Sequence, residues 1–320
     1  MPELPEVQTT VNGINRRVRG LKIIDVWTDY DSAFHARKNN IKNKDYFRKV
    51  FRPNVLGNKI LNAKRRAKNI LINISGNHTV LIHLKMTGHL LFGKYRKITD
   101  NKPFGKLRAS NTTNKNRKEK WETMEKGPLR DPYNQYIHLV FTLSNRKHLV
   151  LSDVRKFAKV LLLKTSEIAD SPDVKTIGPE PLDNKFSKNV IESRLMKKPR
   201  AKIKTALMDQ ALIAGIGNIY SDEILWLAGV GPERKVELVK DTEWDKIYKA
   251  TKTILKAGIK MGGDSLSDYR NLEGKKGSYQ NFHKAYQQTG KTCSKRDCRG
   301  IIKRIRIGGR SGHFCPKHQK

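Results

Sequence analysis

The stretch ILINISGNHTVLIHL, residues 70–84, determines the fold of the first half of the chain. It holds two short aliphatic runs rich in β-branched residues, separated by the turn residues Ser-Gly-Asn at 75–77. This pattern predicts a β-hairpin. A similar pattern recurs at 137–151, so we predict a β-sandwich for the region from Leu21 to about Val160.

An α-helix is predicted ahead of this β-rich region. The apolar residues Val7, Val11, Ile14 and Val18 lie four, three and four positions apart, which is the spacing of one helix face. Gly20 follows them as a C-terminal stop signal. The helix therefore begins almost at the start of the sequence.

The stretch from about 95 to 130 interrupts the β-rich pattern. It is dense in Lys, Arg and Asn and holds few aliphatic residues, so it has little apolar surface to offset the entropy of ordering. We expect a mobile basic insertion. It is either a tolerated surface loop or a source of additional nonspecific affinity for a polyanion.

The second half of the chain has a different character. A connector rich in Pro and Asp precedes a region of helical periodicity, which ends at Lys260 and the glycine pair at 262–263. All three cysteines follow on two short β-like arms. We therefore predict an α+β chain with a β-sandwich domain at 1–165, a linker at 166–185, a helical domain at 186–285 and a cysteine-containing hairpin at 286–320.

The charge balance indicates a polyanionic partner. The chain of 320 residues has 66 Lys and Arg against 30 Asp and Glu, a formal net charge of +36. This excess favours nucleic acid over a solvated face or a membrane surface, because it runs through segments with regular apolar periodicity. With no 18-residue apolar run and no signal-peptide pattern, we expect an intracellular protein, in the cytosol or nucleus.

The cysteines predict a metal site. Cys293, Cys298, Cys315 and His318 have the spacing C-x4-C-x16-C-x2-H. In a reducing compartment such clustering favours a metal over a disulfide, and four ligands of this softness suit tetrahedral Zn²⁺. We predict one structural zinc per chain and no organic cofactor. His313 is the alternative fourth ligand.

The first residues suggest covalent chemistry. Removal of Met1, usual before a small residue, would expose the secondary amine of Pro2 beside Glu3 and Glu6. Attack of this amine on a sugar C1′ gives an iminium ion, which accepts electrons when C–O bonds break. Glu3 would protonate the ring oxygen, and Glu6 would orient or shuttle protons. The alternative is that these residues only start a helix and complement its dipole.

Over nearly its whole length, the chain resembles the Fpg/Nei family of bifunctional DNA glycosylases, and most closely its formamidopyrimidine-DNA glycosylase branch. Seven segments carry the resemblance in order: PELPEV at 2–7, RRAKNILI at 65–72, HLKMTGHL at 83–90, DVRKFAKV at 153–160, IGPEPL at 177–182, GIGNIYSDEIL at 215–225 and the terminal cysteine module. Two features of this chain depart from the family. One is the insertion, and the other is the finger, which has C-x4-C first and a histidine last where the family usually has C-x2-C first and a cysteine last.

The resemblance implies roles in the N-terminal half for four residues. Lys68 would lie at the tip of a β-turn and contact the phosphate and sugar of the damaged nucleotide. An enzyme that works on a base must take it out of the stack, and the gap must be filled. The resemblance assigns this filling to Met86, Arg155 and Phe157.

The resemblance also implies a helix–two-turn–helix element and a β-hairpin zinc finger in the C-terminal half. Asn218, where a helix presents free N–H groups, would bind phosphate. Glu223 would help to hold the lesion region. Arg310 would reach the phosphate of the lesion from the finger.

Together these features predict a base-excision repair enzyme that excises oxidised bases through a proline Schiff base and nicks the abasic site by β,δ-elimination. The spacing from 262 to 293 favours 8-oxoguanine and formamidopyrimidines, with oxidised pyrimidines as the alternative. A non-catalytic damaged-DNA-binding protein, or a helix–two-turn–helix protein of the ribosome or a topoisomerase, are alternatives from other classes. The expected partner is damaged DNA, as duplex and also as single strand, bound by a monomer.

Overall fold

The computed structural model describes residues 1–35, 38–99 and 119–320. The helices are α1 Leu4–Arg17, α2 Lys44–Tyr46, α3 Arg52–Val55, α4 Lys188–Leu195, α5 Ile203–Met208, α6 Asn218–Ala228 and α7 Asp241–Lys260, with a π-helical turn Phe47–Phe51 between α2 and α3. The strands are β1 Ile23–Thr28, β2 Ile60–Arg66, β3 Asn69–Ile74, β4 His78–His83, β5 His89–Gly93, β6 Tyr95–Thr99, β7 Glu119–Thr123, β8 Ile137–Leu143, β9 His148–Ser152, β10 Lys159–Lys164, β11 Lys303–Ile307 and β12 Arg310–Phe314.

Two four-stranded antiparallel sheets form the N-terminal half. Their strand orders are β1-β8-β9-β5 and β10-β4-β3-β2, and the predicted hairpin at 70–84 is the β3–β4 pair. Aliphatic side chains from both sheets make one core. The predicted β-sandwich with an N-terminal helix is confirmed.

Helix α1 contributes to the cores of both halves of the protein. Its predicted apolar face, Val7 to Val18, packs into the sandwich core. Leu4, one turn earlier, belongs to the core of the helical half, formed by α4 to α7. The helix therefore lies at the junction of the two halves, and its first residues face the second one.

The two ends of the predicted insertion are ordered, so the expectation of mobility is wrong for them. Strands β6 and β7 pair in antiparallel orientation, with Tyr95 opposite Thr123 at one end and Thr99 opposite Glu119 at the other. Trp121 lies 6.1 Å from the Trp27 ring and 5.2 Å from the His148 ring, measured between centroids. These aromatic side chains supply the apolar burial that the scarcity of aliphatic residues seemed to exclude. The central part, 100–118, lies outside the described residues.

The C-terminal segment forms the β11–β12 hairpin, joined through a Gly-Gly turn at 308–309. It packs against α6, the central helix of the second half. Among the described residues, no helix is both long and apolar enough to cross a membrane.

Candidate active site

The start of the chain is docked on the loop before α6. The Leu4 N–H donates to the Gly215 carbonyl at 3.0 Å, and the Glu3 carboxylate accepts from Ile219 N–H at 2.9 Å. The glycines permit this approach. A Cβ at Gly215, where φ is +83°, would lie 2.7 Å from the Leu4 Cβ, and one at Gly217 would overlap the Glu3 side chain.

Glu6 is held by donors from three parts of the chain. Its Oε1 accepts from the Tyr220 hydroxyl at 2.6 Å and from Asp264 N–H at 2.7 Å, and its Oε2 accepts from Glu3 N–H at 2.7 Å. Burial, and next the charge of Glu3, raise the pKa of Glu6 to about 7. Near neutral pH this carboxyl group can therefore either hold or release a proton.

Lys68 lies in the two-residue turn between β2 and β3, where Ala67 adopts a φ of +52°. It is buried, and burial lowers the pKa of its ammonium group, while the charge of Glu3 acts in the opposite direction. The charge of Arg310 also lowers this pKa, and the charge of Glu6 also raises it. The proposed supporting cation is thus within electrostatic range of both acids near the N-terminus.

Glu180, which the sequence reasoning did not single out, fixes this turn. Its carboxylate accepts from the Arg65 guanidinium at 2.5 Å and from Ala67 N–H at 2.6 Å. Arg66 donates to the Ile177 carbonyl at 2.6 Å. The segment IGPEPL, 177–182, therefore fixes the turn that carries Lys68. In the sequence, only the family motif indicates this role of Glu180.

A cavity adjoins Pro2, which is buried. Its walls come from the N-terminus, the loop after β4, the start of α6 and the segment after α7: Met1, Pro2, Glu6, Met86, Thr87, Gly88, Ile219, Asp264, Ser267 and Tyr269. The structure thus brings Pro2, Glu6 and Met86 together, with Glu3 directly behind them.

The three residues expected to fill the gap in the DNA stack are all at the surface. Met86 and Phe157 have 41% and 48% of their area exposed, and the Arg155 guanidinium lies 4.4 Å above the Phe157 ring. Large apolar side chains left in solvent on two neighbouring loops are candidates for contact with DNA bases.

One buried carboxylate, Asp153, holds both of these loops. It accepts from the Thr87 hydroxyl, from Ala158 N–H at 2.7 Å and from Arg155 N–H at 3.3 Å. Asp153 is fully buried. Asp153 is the first residue of the segment DVRKFAKV, and no local pattern in the sequence indicates its role.

The two acidic residues of α6 bind the C-terminal hairpin and the segment that leads to it. Asp222 accepts from the buried Lys204 ammonium at 2.6 Å and from His313 N–H at 2.9 Å. Glu223 is fully buried and accepts from the backbone N–H groups of Lys284, Ala285 and Tyr286 at 2.8–2.9 Å. The role predicted for Glu223, helping to hold the lesion region, stays a prediction; in this structure its carboxylate holds the backbone at 284–286.

The two remaining predicted phosphate contacts lie at the start of α6 and beside the turn of the C-terminal hairpin. Asn218 is the first residue of α6 and is half-buried. Arg310 is exposed beside the turn at 308–309. A helix N-terminus favours an anion, and the N–H groups of Ile219 and Tyr220 at the start of α6 already bind the Glu3 carboxylate.

Cys293, Cys298, Cys315 and His318 form a metal-binding cluster, in which all ligand atoms lie within 4.8 Å of one another. The Cys293 Sγ is 3.3 Å from the His318 Nδ1, and the Cys298 Sγ is 3.6 Å from the Cys315 Sγ. The His318 Nε2 bonds the Trp226 carbonyl at 3.0 Å, which orients the ring. His313, the alternative ligand, instead bonds Asp222.

Comparisons with known proteins match this arrangement over the whole chain. The family model for the formamidopyrimidine-DNA glycosylase N-terminal domain matches residues 1–160, and that for the H2TH domain matches 177–270. The formamidopyrimidine-DNA glycosylase of Streptococcus mutans is 34% identical over 321 residues, covering 100% of both chains.

Solved structures of Fpg proteins are similar to this chain over its whole length. A Lactococcus lactis Fpg mutant in complex with Fapy-dG-containing DNA has a TM-score of 0.77 at 28% identity, covering 100% of each chain. The complex of Lactococcus lactis Fpg with abasic-site DNA has a TM-score of 0.75 at 30% identity, covering 99% of each.

These matches first define a class: the chain belongs to the Fpg/Nei family of DNA glycosylases with AP lyase activity. Within that family it stands with the formamidopyrimidine-DNA glycosylases, which act in base-excision repair of oxidised purines. The predicted family, fold class and enzyme class are confirmed.

We predict that Asp153→Asn weakens binding to a duplex with an abasic-site analogue by about tenfold, since hydrogen bonds to a charged group contribute about 1.5–3 kcal/mol. Fluorescence anisotropy at fixed salt concentration measures the dissociation constant. The matched control is Asp29→Asn. Asp29 is partly exposed and contacts Lys156, on the same loop as Asp153, at 2.9 Å and His138 at 2.8 Å, so its loss should change binding less than about threefold. Equal losses in both variants would contradict the role of Asp153.

We predict that the stability difference between the wild type and Glu6→Gln depends on pH. Between pH 4.5 and about 7 the folded protein keeps a proton on Glu6 that the unfolded chain has released, because the pKa of Glu6 is raised. The free energy of unfolding of the wild type should therefore fall, relative to the variant, as pH rises through this window. Urea denaturation at pH 5, 6, 7 and 8 measures it, and a constant difference would refute it.

Proposed function

We propose that the protein excises oxidised purines, 8-oxoguanine and formamidopyrimidines, with Pro2 as the nucleophile after removal of Met1. The observation that carries this is the cavity where Pro2, Glu6 and Met86 meet. The relatives' structures with Fapy-dG-containing and abasic-site DNA support the same substrates for this chain.

In the proposed reaction, the Pro2 nitrogen bonds to C1′ of the flipped nucleotide, and the glycosidic electron pair leaves with the base, which gains a proton. The ring oxygen takes a proton as the ring opens, which leaves an iminium ion between Pro2 and C1′. Loss of the C2′ proton then breaks the C3′–O bond, and a second elimination breaks the C5′–O bond. Water finally releases the sugar fragment from Pro2.

Glu3 is the proposed acid for the ring oxygen. Its carboxylate follows Pro2 directly and is fixed by Ile219 N–H and, at 3.4 Å, by Tyr220 N–H at the start of α6. Glu6, with its pKa near 7, is the proposed proton shuttle. Lys68, fixed by the clamp on its turn, is the proposed cation for the phosphate and sugar.

The DNA is proposed to lie across the junction of the two halves. Met86, Arg155 and Phe157 would enter the stack where the base has left it, while Asn218 and Arg310 bind phosphate. The proposed domain limits are 1–165, 186–285 and 286–320. Every proposed catalytic group comes from one chain, so a monomer is the proposed active form.

The four-ligand cluster fits Zn²⁺, because thiolates and imidazole in a closed set of four are typical of structural zinc. Zinc bound there would hold the C-terminal hairpin and would leave no position for a water molecule. His318 would bind through Nδ1, since its Nε2 already bonds a carbonyl.

We predict that borohydride traps a covalent adduct with an 8-oxoguanine duplex and that peptide mass spectrometry maps it to Pro2. Pro2→Gly should lower excision about a hundredfold, because the secondary amine is lost. Lys68→Met removes the other amine of the site and should still give the adduct. An adduct on Lys68, or full activity in a mature chain that retains Met1, would refute this assignment. A parallel panel of lesions in duplex and single-stranded DNA measures the substrate range.

We predict one zinc per chain by inductively coupled plasma analysis. Cys315→Ser should lose both the metal and DNA cleavage, because three ligands no longer close the site. His313→Gln is the matched control and should keep the zinc, since His313 bonds Asp222 and stands outside the cluster. Loss of zinc in His313→Gln, with zinc retained in His318→Gln, would reverse the ligand assignment.

A further inference from the structure

Arg270, which directly follows the cavity residue Tyr269, is buried, with only 1% of its area exposed. Arginine is rarely this buried unless its donors are all bound. Its Nε and Nη2 donate to the two carboxylate oxygens of Asp131 at 3.0 and 3.2 Å, and its Nη1 donates to the carbonyls of Ser267 and Tyr269, both at 2.9 Å. The guanidinium also lies 5.1 Å from the Tyr133 ring.

The carbonyls that Arg270 binds belong to the cavity wall. We call residues 264–272 the cavity loop; it follows α7, and its residues Asp264, Ser267 and Tyr269 line the cavity beside Pro2. The Nη1 group of the guanidinium therefore fixes the backbone at two of these three wall residues. The edge formed by Nε and Nη2 binds a carboxylate in the N-terminal half.

The carboxylate end of this pair is itself rigid. Asp131 also accepts from Tyr133 N–H at 3.0 Å, within a segment of two short 3₁₀ turns, 127–135. Asn134 of that segment donates to the Pro128 carbonyl at 2.8 Å and bonds the His89 ring of β5 at 2.9 Å. Asp131 is thus anchored on the sandwich.

The far end of the cavity loop is fastened to the same body. Leu272 packs in the sandwich core, and its carbonyl accepts from Phe92 N–H at 2.8 Å. At the near end, Asp264 N–H donates to Glu6. The loop is therefore held at both ends, and Arg270 fixes its middle.

We infer that the Asp131–Arg270 pair is a positioning device that sets the shape of the cavity wall against the flipped base, and so determines how well a base is held for excision. This rests on the proposed function. The pair touches neither Pro2 nor Glu3, so it should act on the base and leave the sugar chemistry unchanged. An abasic site has no base to hold, and its cleavage should not depend on the pair.

The experiment compares two single-turnover rates in the full-length protein: excision of 8-oxoguanine, and cleavage of a preformed abasic site in the same duplex. Asp131→Asn and Arg270→Gln should each lower excision by about tenfold, as expected for a misplaced wall, while abasic cleavage changes less than about twofold. The double variant should be no slower than the slower single variant, because both changes break one interaction.

The matched control is Glu273→Gln. Glu273 lies just after the cavity loop and also spans the two halves, through ion pairs with Arg16 and Arg17 of 3.2 and 2.7 Å, but these pairs lie at the surface. Both rates should stay within about twofold of the wild type. Thermal melting identifies any variant that is not folded; Arg270→Lys, which keeps the charge, then replaces Arg270→Gln.

Three results would overturn the inference: unchanged excision in both variants, an equal loss of both rates in folded protein, or the same selective loss in Glu273→Gln. The test of the proposed function is separate. If the unmodified protein excises no oxidised base and forms no trapped adduct, the proposed function fails before any variant is compared.

Discussion

The site depends on the contact between the start of the chain and the start of α6. A nucleophile at a chain terminus has no covalent anchor on one side, so noncovalent contacts must immobilise it. The Glu3 carboxylate on the N–H groups of α6 and the Leu4 N–H on Gly215 provide this anchor. The N-terminus of α6 stabilises the negative charge of the Glu3 carboxylate. This contact in turn fixes the start of α1, which Pro2 precedes.

Several buried or half-buried charged groups lie in the same part of the molecule, and each binds groups from elements that are distant in the sequence. Glu180 links the turn of Lys68 to the linker segment, and Asp153 links the exposed loop of Met86 to the exposed loop of Phe157. Lys204 and Asp222 join α5, α6 and the C-terminal hairpin. A buried ion pair contributes little net stability, but losing one partner is costly, so such pairs specify geometry. A basic protein that must hold a flexible polyanion needs this rigidity beneath its surface.

The sequence predicted what local patterns and the family motifs encode. Local patterns were sufficient for α1 and for the β3–β4 hairpin, and ligand spacing was sufficient to bring His318 to the cysteines. Sequence-based prediction failed for residues whose hydrogen-bond or packing partners lie far away in the chain. Asp153 and Glu180 have no local signature of their function, because each acts on backbone groups set by tertiary structure. The ends of the insertion were misjudged for a related reason, since Trp121 finds its apolar partners only after β1 and β9 are in place.

The hydrogen bond from Ile219 to Glu3 spans 216 residues of sequence. Residues 2–6 therefore leave the ribosome long before Tyr220 and Asp264, the groups that hold Glu6, have been synthesised. At a translation rate of about 5–20 residues per second, this interval lasts on the order of ten seconds or more. Throughout that time a nascent chain carries the proposed nucleophile, Pro2, without the partners that hold Glu3 and Glu6 and without the far walls of the cavity, so we expect an incomplete copy to be unable to incise DNA.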